Sequence, residues 1–293
     1  MDVNSFLEYL RVERNCSKLT IKAYSDDLKD FEEYFRKLDC GMSWENVDSD
    51  VIRGWMVEMM DKGNGAVSVN RRLCALRSFY RYSLSHGLIE SDPAYGITGP
   101  KKEKPLPQFV RESEMDKLLE EGMFENDYRG VLERTIILTF YTTGMRLSEL
   151  TGLNVDSVDF ANGQIKVLGK RNKERIIPYG EELGDALKQY VDKKNENIRS
   201  ESDAFFLDEQ GNRMSSNQVR YIVKKNLQKV CTLKKCTPHV LRHSFATAML
   251  NHDAEIEGLK KLLGHQSLET TEIYTHTTFE QLKKIYTSAH PRA

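Results

Sequence analysis

Apolar side chains recur at three- and four-residue steps along the first hundred residues, the pattern of amphipathic helices. The clearest stripe lies within 17–37 and consists of Ile21, Tyr24, Leu28, Phe31 and Phe35. Further helices are predicted over 6–12, 44–60 and 68–86, with Gly63-Asn64-Gly65 breaking the chain before the last. That last helix is expected to bury an apolar face made of Leu73, Leu76, Phe79 and Leu84. The N-terminal part is therefore predicted to be a four-helix domain.

The helical pattern stops between Gly96 and Gln108, where three prolines stand among lysines. Such a composition favours an extended connector over packed structure. We therefore expect a helical domain over 1–97, a linker over 98–111 and a second domain over 112–293.

The second domain begins with predicted helices over 112–122 and 129–142, and the apolar period then changes to two. Asn162-Gly163 is a strong hairpin signal, and a second turn is expected at 169–173. The pattern predicts a small three-stranded antiparallel sheet. Six more helices are expected, over 181–198, 215–230, 238–250, 254–263, 267–275 and 278–287. The predicted fold class is mainly α.

The bulk composition is that of an ordinary globular protein. The chain has 293 residues, a length that favours two domains, with 39% hydrophobic and 30% charged residues. It contains no apolar run of transmembrane length and no secretory signal pattern, so we expect a cytoplasmic protein without a membrane partner. Five scattered cysteines indicate reduced thiols rather than a disulfide framework.

Basic residues are concentrated in two long stretches, although the net charge is only −1. Neither 62–89 nor 211–252 contains an acidic residue, while both are rich in lysine and arginine. A solvated charged face would explain one such stretch, but two favour a polyanion such as DNA. The candidate DNA-binding residues are Lys18, Lys22, Arg71, Arg72, Arg77, Arg81, Arg171, Arg213 and Arg220.

Two cationic side chains stand at positions suited to a phosphate. Arg146 lies at a predicted helix start just after Gly144, where it could meet an anion together with free backbone N–H groups. The alternative is a surface ion pair with Glu149. Lys170 is expected at the tip of the second hairpin, where it could protonate a leaving oxygen or merely aid solubility.

His239 and Arg242 are three residues apart and therefore share one helical face. Zinc is a competing interpretation, because two cysteines and His243 follow a ligand-like order with His239. Only two residues separate the cysteine and histidine pairs, whereas a zinc finger needs about a dozen, so we expect no metal. The glycine spacing before Lys170 does not fit a phosphate-binding loop, so no nucleotide cofactor is expected either.

A turn and a tyrosine complete the candidate chemistry. Gly264 is expected to end one helix, which places His265 in a tight turn before the N-cap residue Ser267. Tyr274 follows nine residues after His265, near the end of a predicted short helix. Alone, such a tyrosine would usually belong to a core.

Four blocks resemble the tyrosine recombinase (phage integrase-type) superfamily, and most closely the bacterial Xer recombinases. They read TGMRLSEL, GKRNKERIIP, HVLRHSFAT and LLGHQSLETTEIYTH, and the N-terminal SKLTIKAYSDDLKDF and NRRLCALRSFYRY resemble the core-binding domain of the same family. The resemblance covers essentially the full length. It implies a four-helix SAM-like domain and a mostly helical catalytic domain.

The resemblance also implies a role for each candidate residue in breaking and rejoining DNA. Tyr274 would attack the scissile phosphate to give a 3′-phosphotyrosine, and Arg146 and Arg242 would hold its oxygens. Lys170 would protonate the leaving 5′ oxygen. His239 would handle the tyrosine proton, and His265 would hydrogen-bond the phosphate. Neither metal nor ATP would be needed.

The family implies a tetrameric synapse on two specific duplex sites, formed by one recombinase or with a second one. The apolar helix after Tyr274, with Phe279, Leu282 and Ile285, would dock on a neighbouring protomer. Chromosome dimer resolution, mobile-element integration or excision, and DNA inversion are all compatible purposes. A type IB topoisomerase-like enzyme and a non-catalytic DNA-binding regulator are the alternatives.

Overall fold

The computed structural model describes residues 1–102, 108–169, 173–264 and 276–293, with the side chains of 276–281 left outside that description. The chain divides into two compact units, Met1–Pro105 and Leu106–Ala293. The division falls inside the stretch predicted as a linker. Within the described residues, no helix is both long and apolar enough to cross a membrane.

The first unit contains four helices: α1 (Val3–Val12), α2 (Lys18–Leu38), α3 (Ser49–Asp61) and α4 (Ala66–Ser85). Their apolar stripes meet in an aromatic core that includes Phe31, Trp55 and Phe79, all at most 2% exposed. The four predicted helices are thus confirmed.

Two details of the first unit differ from the prediction. Helix α3 begins after Asp48, not at Trp44, because the Asp48 carboxylate caps it by accepting from two backbone N–H groups. Trp44 instead enters the core from the preceding turn and is 6% exposed. In α4 the inward face continues through Tyr80 and Ser83, which leaves Leu84 41% exposed, so its predicted burial was wrong.

The second unit begins with α5 (Glu112–Leu119), α6 (Tyr128–Thr143) and α7 (Leu147–Thr151). Helix α6 is buried on nearly all sides, since it packs against helices from later in the chain. It ends at Gly144, whose φ of 59° lies in the left-handed region that favours glycine.

A three-stranded antiparallel sheet follows, in the order β1-β2-β3, as predicted. A 3₁₀ turn (Val155–Ser157) leads into β1 (Val158–Asp159), β2 (Gln164–Leu168) and β3 (Glu174–Pro178). Alternation along β3 turns Arg175 and Ile177 toward the interior, so a charged side chain lies at a core position.

The remaining helices are α8 (Glu181–Asn197), α9 (Ser216–Leu227), α10 (Pro238–Asn251), α11 (Ile256–Leu263) and α12 (His276–Ala289). The helix predicted over 267–275 lies outside the described residues. Helix α12 packs on its own unit: Leu282 and Tyr286, at most 3% exposed, join a cluster with Phe245 and Leu259. Docking of this helix on a neighbouring protomer stays a prediction.

Candidate active site

Arg146 is the N-cap residue of α7 and forms an ion pair with Glu149. The sequence offered this pair as a surface contact, but Glu149 is buried, at 3% exposed. Its backbone N–H donates to Glu149 Oε2 at 2.7 Å, and its Nη1 donates to Oε1 at 2.8 Å. Its Nη2 donates to the carbonyl of Gly264 at 3.0 Å. The side chain is 22% exposed, so the guanidinium is held on one side and open on another.

Arg242 lies on α10 and is 8% exposed. Its Nη1 donates to the carbonyl of Gly144 and its Nη2 to that of Leu263, both at 2.6 Å. Burial and the nearby Arg146 lower the pKa of Arg242 to about 10, so it still carries its charge at neutral pH. Arg146 and Arg242, from different helices, thus meet at adjacent carbonyls just before His265.

His239 is exposed on the first turn of α10. Partial desolvation, followed by the positive charges of Arg242, His243, Arg146 and Arg220, lowers its pKa. The imidazole is therefore neutral at pH 7 and able to accept a proton.

Glu149 and Arg175 complete this cluster, and neither was predicted as a site residue. Glu149 is 3% exposed, and Arg175 binds both of its oxygens, at 2.6 and 2.8 Å. Burial alone would raise the pKa of Glu149, but Arg175 and then Arg146 outweigh it and lower the pKa to about 2. The one signal in the sequence was an arginine at the inward register of an apolar strand.

Three predicted catalytic residues, Lys170, His265 and Tyr274, lie outside the described residues, as does Arg171. The structure does describe the residues next to them in the chain. The Gly169 N–H donates to the Lys173 carbonyl at 2.7 Å across the ends of β2 and β3, and Gly264 ends α11 with a φ of 62°.

The predicted DNA-binding residues fall into two groups. Lys18, Lys22, Arg81 and Arg220 are exposed. The others form contacts within the protein, although Arg71 is also exposed. Arg71 pairs with Asp27, Arg72 with Asp30, Arg77 with the Ile97 carbonyl, and Arg213 with the Thr151 and Leu153 carbonyls and with Asp203. For Arg77 and Arg213 these contacts give a structural reason for the arginine.

Cys231 and Cys236 form a buried thiol pair with 4.0 Å between the sulfur atoms. The described ranges contain no group of three or more histidine, cysteine or acidic side chains arranged to hold a metal. The pair packs against the core of the second unit beside the start of α10.

Family models match both parts of the chain. The phage integrase family matches residues 108–281, and the phage integrase N-terminal SAM-like domain matches residues 3–87. Tyrosine recombinase XerC of Pelotomaculum thermopropionicum is 37% identical, with 99% of this chain and 98% of the relative covered. Tyrosine recombinase XerC of Escherichia coli O127:H6 is 36% identical, with 100% and 97% covered.

Solved structures share the fold. The recombinase XerH bound to a palindromic difH substrate, a post-cleavage complex, superposes with a TM-score of 0.72 at 23% identity, over 97% of this chain and 83% of that one. The Tn1549 transposon integrase (residues 82–397 of that protein) in complex with circular intermediate DNA gives 0.72 at 19% identity, over 94% and 96%. The family models and the full-length relatives show that the chain belongs to the phage integrase family of tyrosine recombinases.

Proposed function

We propose that this tyrosine recombinase cuts and rejoins specific DNA sites through a covalent bond to Tyr274. The tyrosine oxygen attacks the scissile phosphorus, and the 5′ oxygen of the next nucleotide leaves. The phosphodiester becomes a 3′-phosphotyrosine of similar energy, so the later attack of a 5′ hydroxyl reverses the step without ATP.

The convergence of Arg146 and Arg242 carries this proposal. Both have terminal nitrogens within 3.0 Å of the carbonyls of Gly264 and Leu263, directly before His265. Two guanidinium groups at one point suit a phosphate that gains negative charge in its transition state. Two of the six proposed catalytic positions, Arg146 and Arg242, thus hold adjacent carbonyls.

Proton transfer is assigned to His239 and Lys170. His239, neutral because its pKa is lowered, accepts the tyrosine proton as the phosphorus–oxygen bond forms. Lys170 donates a proton to the leaving 5′ oxygen, and His265 hydrogen-bonds the phosphate. With ordinary pKa values near 10, tyrosine needs an acceptor and nearby positive charge to react at neutral pH.

The exposed face of α9 supplies a DNA contact in the same unit. Asn217, Arg220, Tyr221 and Lys224 are all exposed at helical spacings of three and four. Arginine and asparagine can each make paired hydrogen bonds to base edges in the major groove. In the first unit Lys18, Lys22 and Arg81 supply exposed charge for the phosphate backbone.

A suicide substrate tests the nucleophile. The recombination site is first found by mapping covalent protein–DNA adducts on genomic DNA. A nicked duplex with this site, from which the cut fragment diffuses away, should then trap an adduct. Tyr274→Phe should abolish it, while Tyr95→Phe, at an 87% exposed tyrosine of the first unit, should not. An adduct that persists in Tyr274→Phe would refute the assignment.

Assays with the same purified protein distinguish the recombinase from the alternative functions. We propose a tetramer on two sites, acting in the cytoplasm, either of identical chains or with a second recombinase. Strand exchange between two site-bearing plasmids by the purified chain alone supports identical chains. Rapid relaxation of supercoiled DNA without the site indicates a topoisomerase instead, and binding without any adduct indicates a regulator.

A further inference from the structure

The end of α11 is bound by three arginines from three different elements. The successive carbonyls of Leu262, Leu263 and Gly264 accept from Arg175 at 3.0 Å, Arg242 at 2.6 Å and Arg146 at 3.0 Å. The last carbonyls of a helix have no intrahelical partner and carry the negative end of its dipole. Three guanidinium groups therefore converge there, and the chain continues directly to His265.

The charge at this point is set by Glu149. Three arginines and one buried carboxylate leave two positive charges, which match the doubly charged transition state of phosphodiester cleavage. The distribution of charge matters as much as the net charge, because a carboxylate bound to Arg146 alone would hold the guanidinium of Arg146 away from a phosphate.

Arg175 is placed to control that distribution without touching DNA. It is 5% exposed, and its Nε, Nη1 and Nη2 all donate inside the protein, to Leu262 and to both oxygens of Glu149. A carboxylate with both oxygens engaged by one arginine fork has less left to offer a second. Arg146 shares Oε1 with Arg175 through its Nη1, at 2.8 Å, and its backbone N–H donates to Oε2 at 2.7 Å.

We propose that Arg175 is a positioning residue for cleavage. It occupies Glu149 so that Arg146 can bind phosphate, and it holds the Leu262 carbonyl at the end of α11. This rests on the proposed function, in which Arg146 and His265 contact the scissile phosphate. Lysine replaces it only in part, because a single ammonium cannot bind two carboxylate oxygens and a carbonyl in one plane.

The test combines Arg175→Gln, Arg175→Lys, Glu149→Gln and the double variant Arg175→Gln/Glu149→Gln. Cleavage rates are measured with suicide duplex at saturation, DNA affinity by titration and folding by calorimetry. We expect Arg175→Gln to cleave at least tenfold more slowly with affinity within threefold, since affinity comes from many phosphate contacts. Arg175→Lys should recover part of the rate.

The double variant separates positioning from mere support of the fold. The neutral amide that Glu149→Gln introduces no longer competes for Arg146, so the double variant should cleave faster than Arg175→Gln alone. Arg129→Gln is a control for loss of an arginine from a buried carboxylate, because Arg129, itself 52% exposed, pairs with the buried Glu133 elsewhere in the unit. It should lower the melting temperature without changing the cleavage rate. A wild-type rate in Arg175→Gln, or a double variant that cleaves no faster than Arg175→Gln, overturns the proposal.

A measurement without DNA keeps the proposal separate from the reaction. The Nε–H resonance of Arg146, assigned by its loss in Arg146→Lys, should shift in Arg175→Gln as Glu149 takes a stronger hold. It should return toward its original position in the double variant. An unchanged resonance refutes the positioning role even if cleavage is observed. Absence of an adduct in the wild-type chain refutes the proposed reaction, and the resonance then decides the role of Arg175 alone.

Discussion

Gly144→Ala should destabilise the second unit more than an ordinary glycine substitution does. A side chain in the left-handed region costs about 1–2 kcal/mol. A Cβ at this position would also lie 2.4 Å from Phe245 Cδ1 and 2.9 Å from Leu263 Cδ2, in a packed core where such overpacking costs about 1–3 kcal/mol. The expected total is about 2–5 kcal/mol, and the melting temperature of this unit should fall by roughly 4–20 °C.

The assay can follow the two units separately. Both tryptophans, Trp44 and Trp55, lie in the first unit, so their fluorescence reports its unfolding while calorimetry reports the whole chain. Gly144→Ala should shift a calorimetric transition and leave the fluorescence transition in place.

Gly163→Ala is the matched control for Gly144→Ala. Its φ of 62° is nearly the same, but the nearest atom to a new Cβ, the Tyr179 carbonyl oxygen, is 3.5 Å away. Only the conformational cost, about 1–2 kcal/mol, should remain. Equal losses in the two variants would refute the argument from crowding. Gly144→Ala should in addition slow cleavage, since the Gly144 carbonyl holds Arg242.

Three further predictions concern titration and the core. The pKa of Glu149 is lowered to about 2, so its ionised form stabilises the fold at pH values above its unfolded pKa near 4.5, by roughly 3 kcal/mol as an upper estimate. This stability is lost as the pH falls toward 2, and Glu149→Gln should flatten this part of an acid-unfolding curve. Cleavage should increase with pH through a value below 6.5 and then level off, and His239→Gln should remove that acid limb of the pH–rate profile. Cys231→Ser/Cys236→Ser should form the adduct at the wild-type rate, with a stability loss of about 1–3 kcal/mol measured by calorimetry; loss of activity together with release of metal would revive the zinc interpretation.

The sequence predicts the helices of the first unit well because each one buries one face. The stripe from Ile21 to Phe35 needs no knowledge of its partners, since period alone distinguishes inside from outside. The same reasoning fails where a cap or a neighbour decides: Asp48 sets the start of α3, and Tyr80 occupies the core instead of Leu84. These are tertiary facts that a local pattern does not contain.

The candidate site shows the same difference between what a local pattern predicts and what tertiary contacts decide. Residue types and local settings made Arg146, His239 and Arg242 candidates, and the resemblance to the family implied their roles. Their convergence was beyond local reasoning, because Arg146 and Gly264 are 118 residues apart. Arg175 was not predicted as a site residue. In a strand of alternating pattern, an arginine at an inward position looks like an exception and not like the centre of a cluster.

Helix α12 and the apolar surface that it covers are the same in every copy of the protein. Leu282 and Tyr286 fill a cleft formed by Phe245, Leu259 and their neighbours in the same chain, and every copy of the protein has the same cleft and the same helix. Exchange between identical copies would therefore replace each contact with an equivalent one, and a closed ring would leave no cleft empty. The contact energy of α12 would then be the same within one chain and between chains. The balance between these two arrangements would depend on the local concentration of protomers, which would rise sharply if two DNA sites were held together.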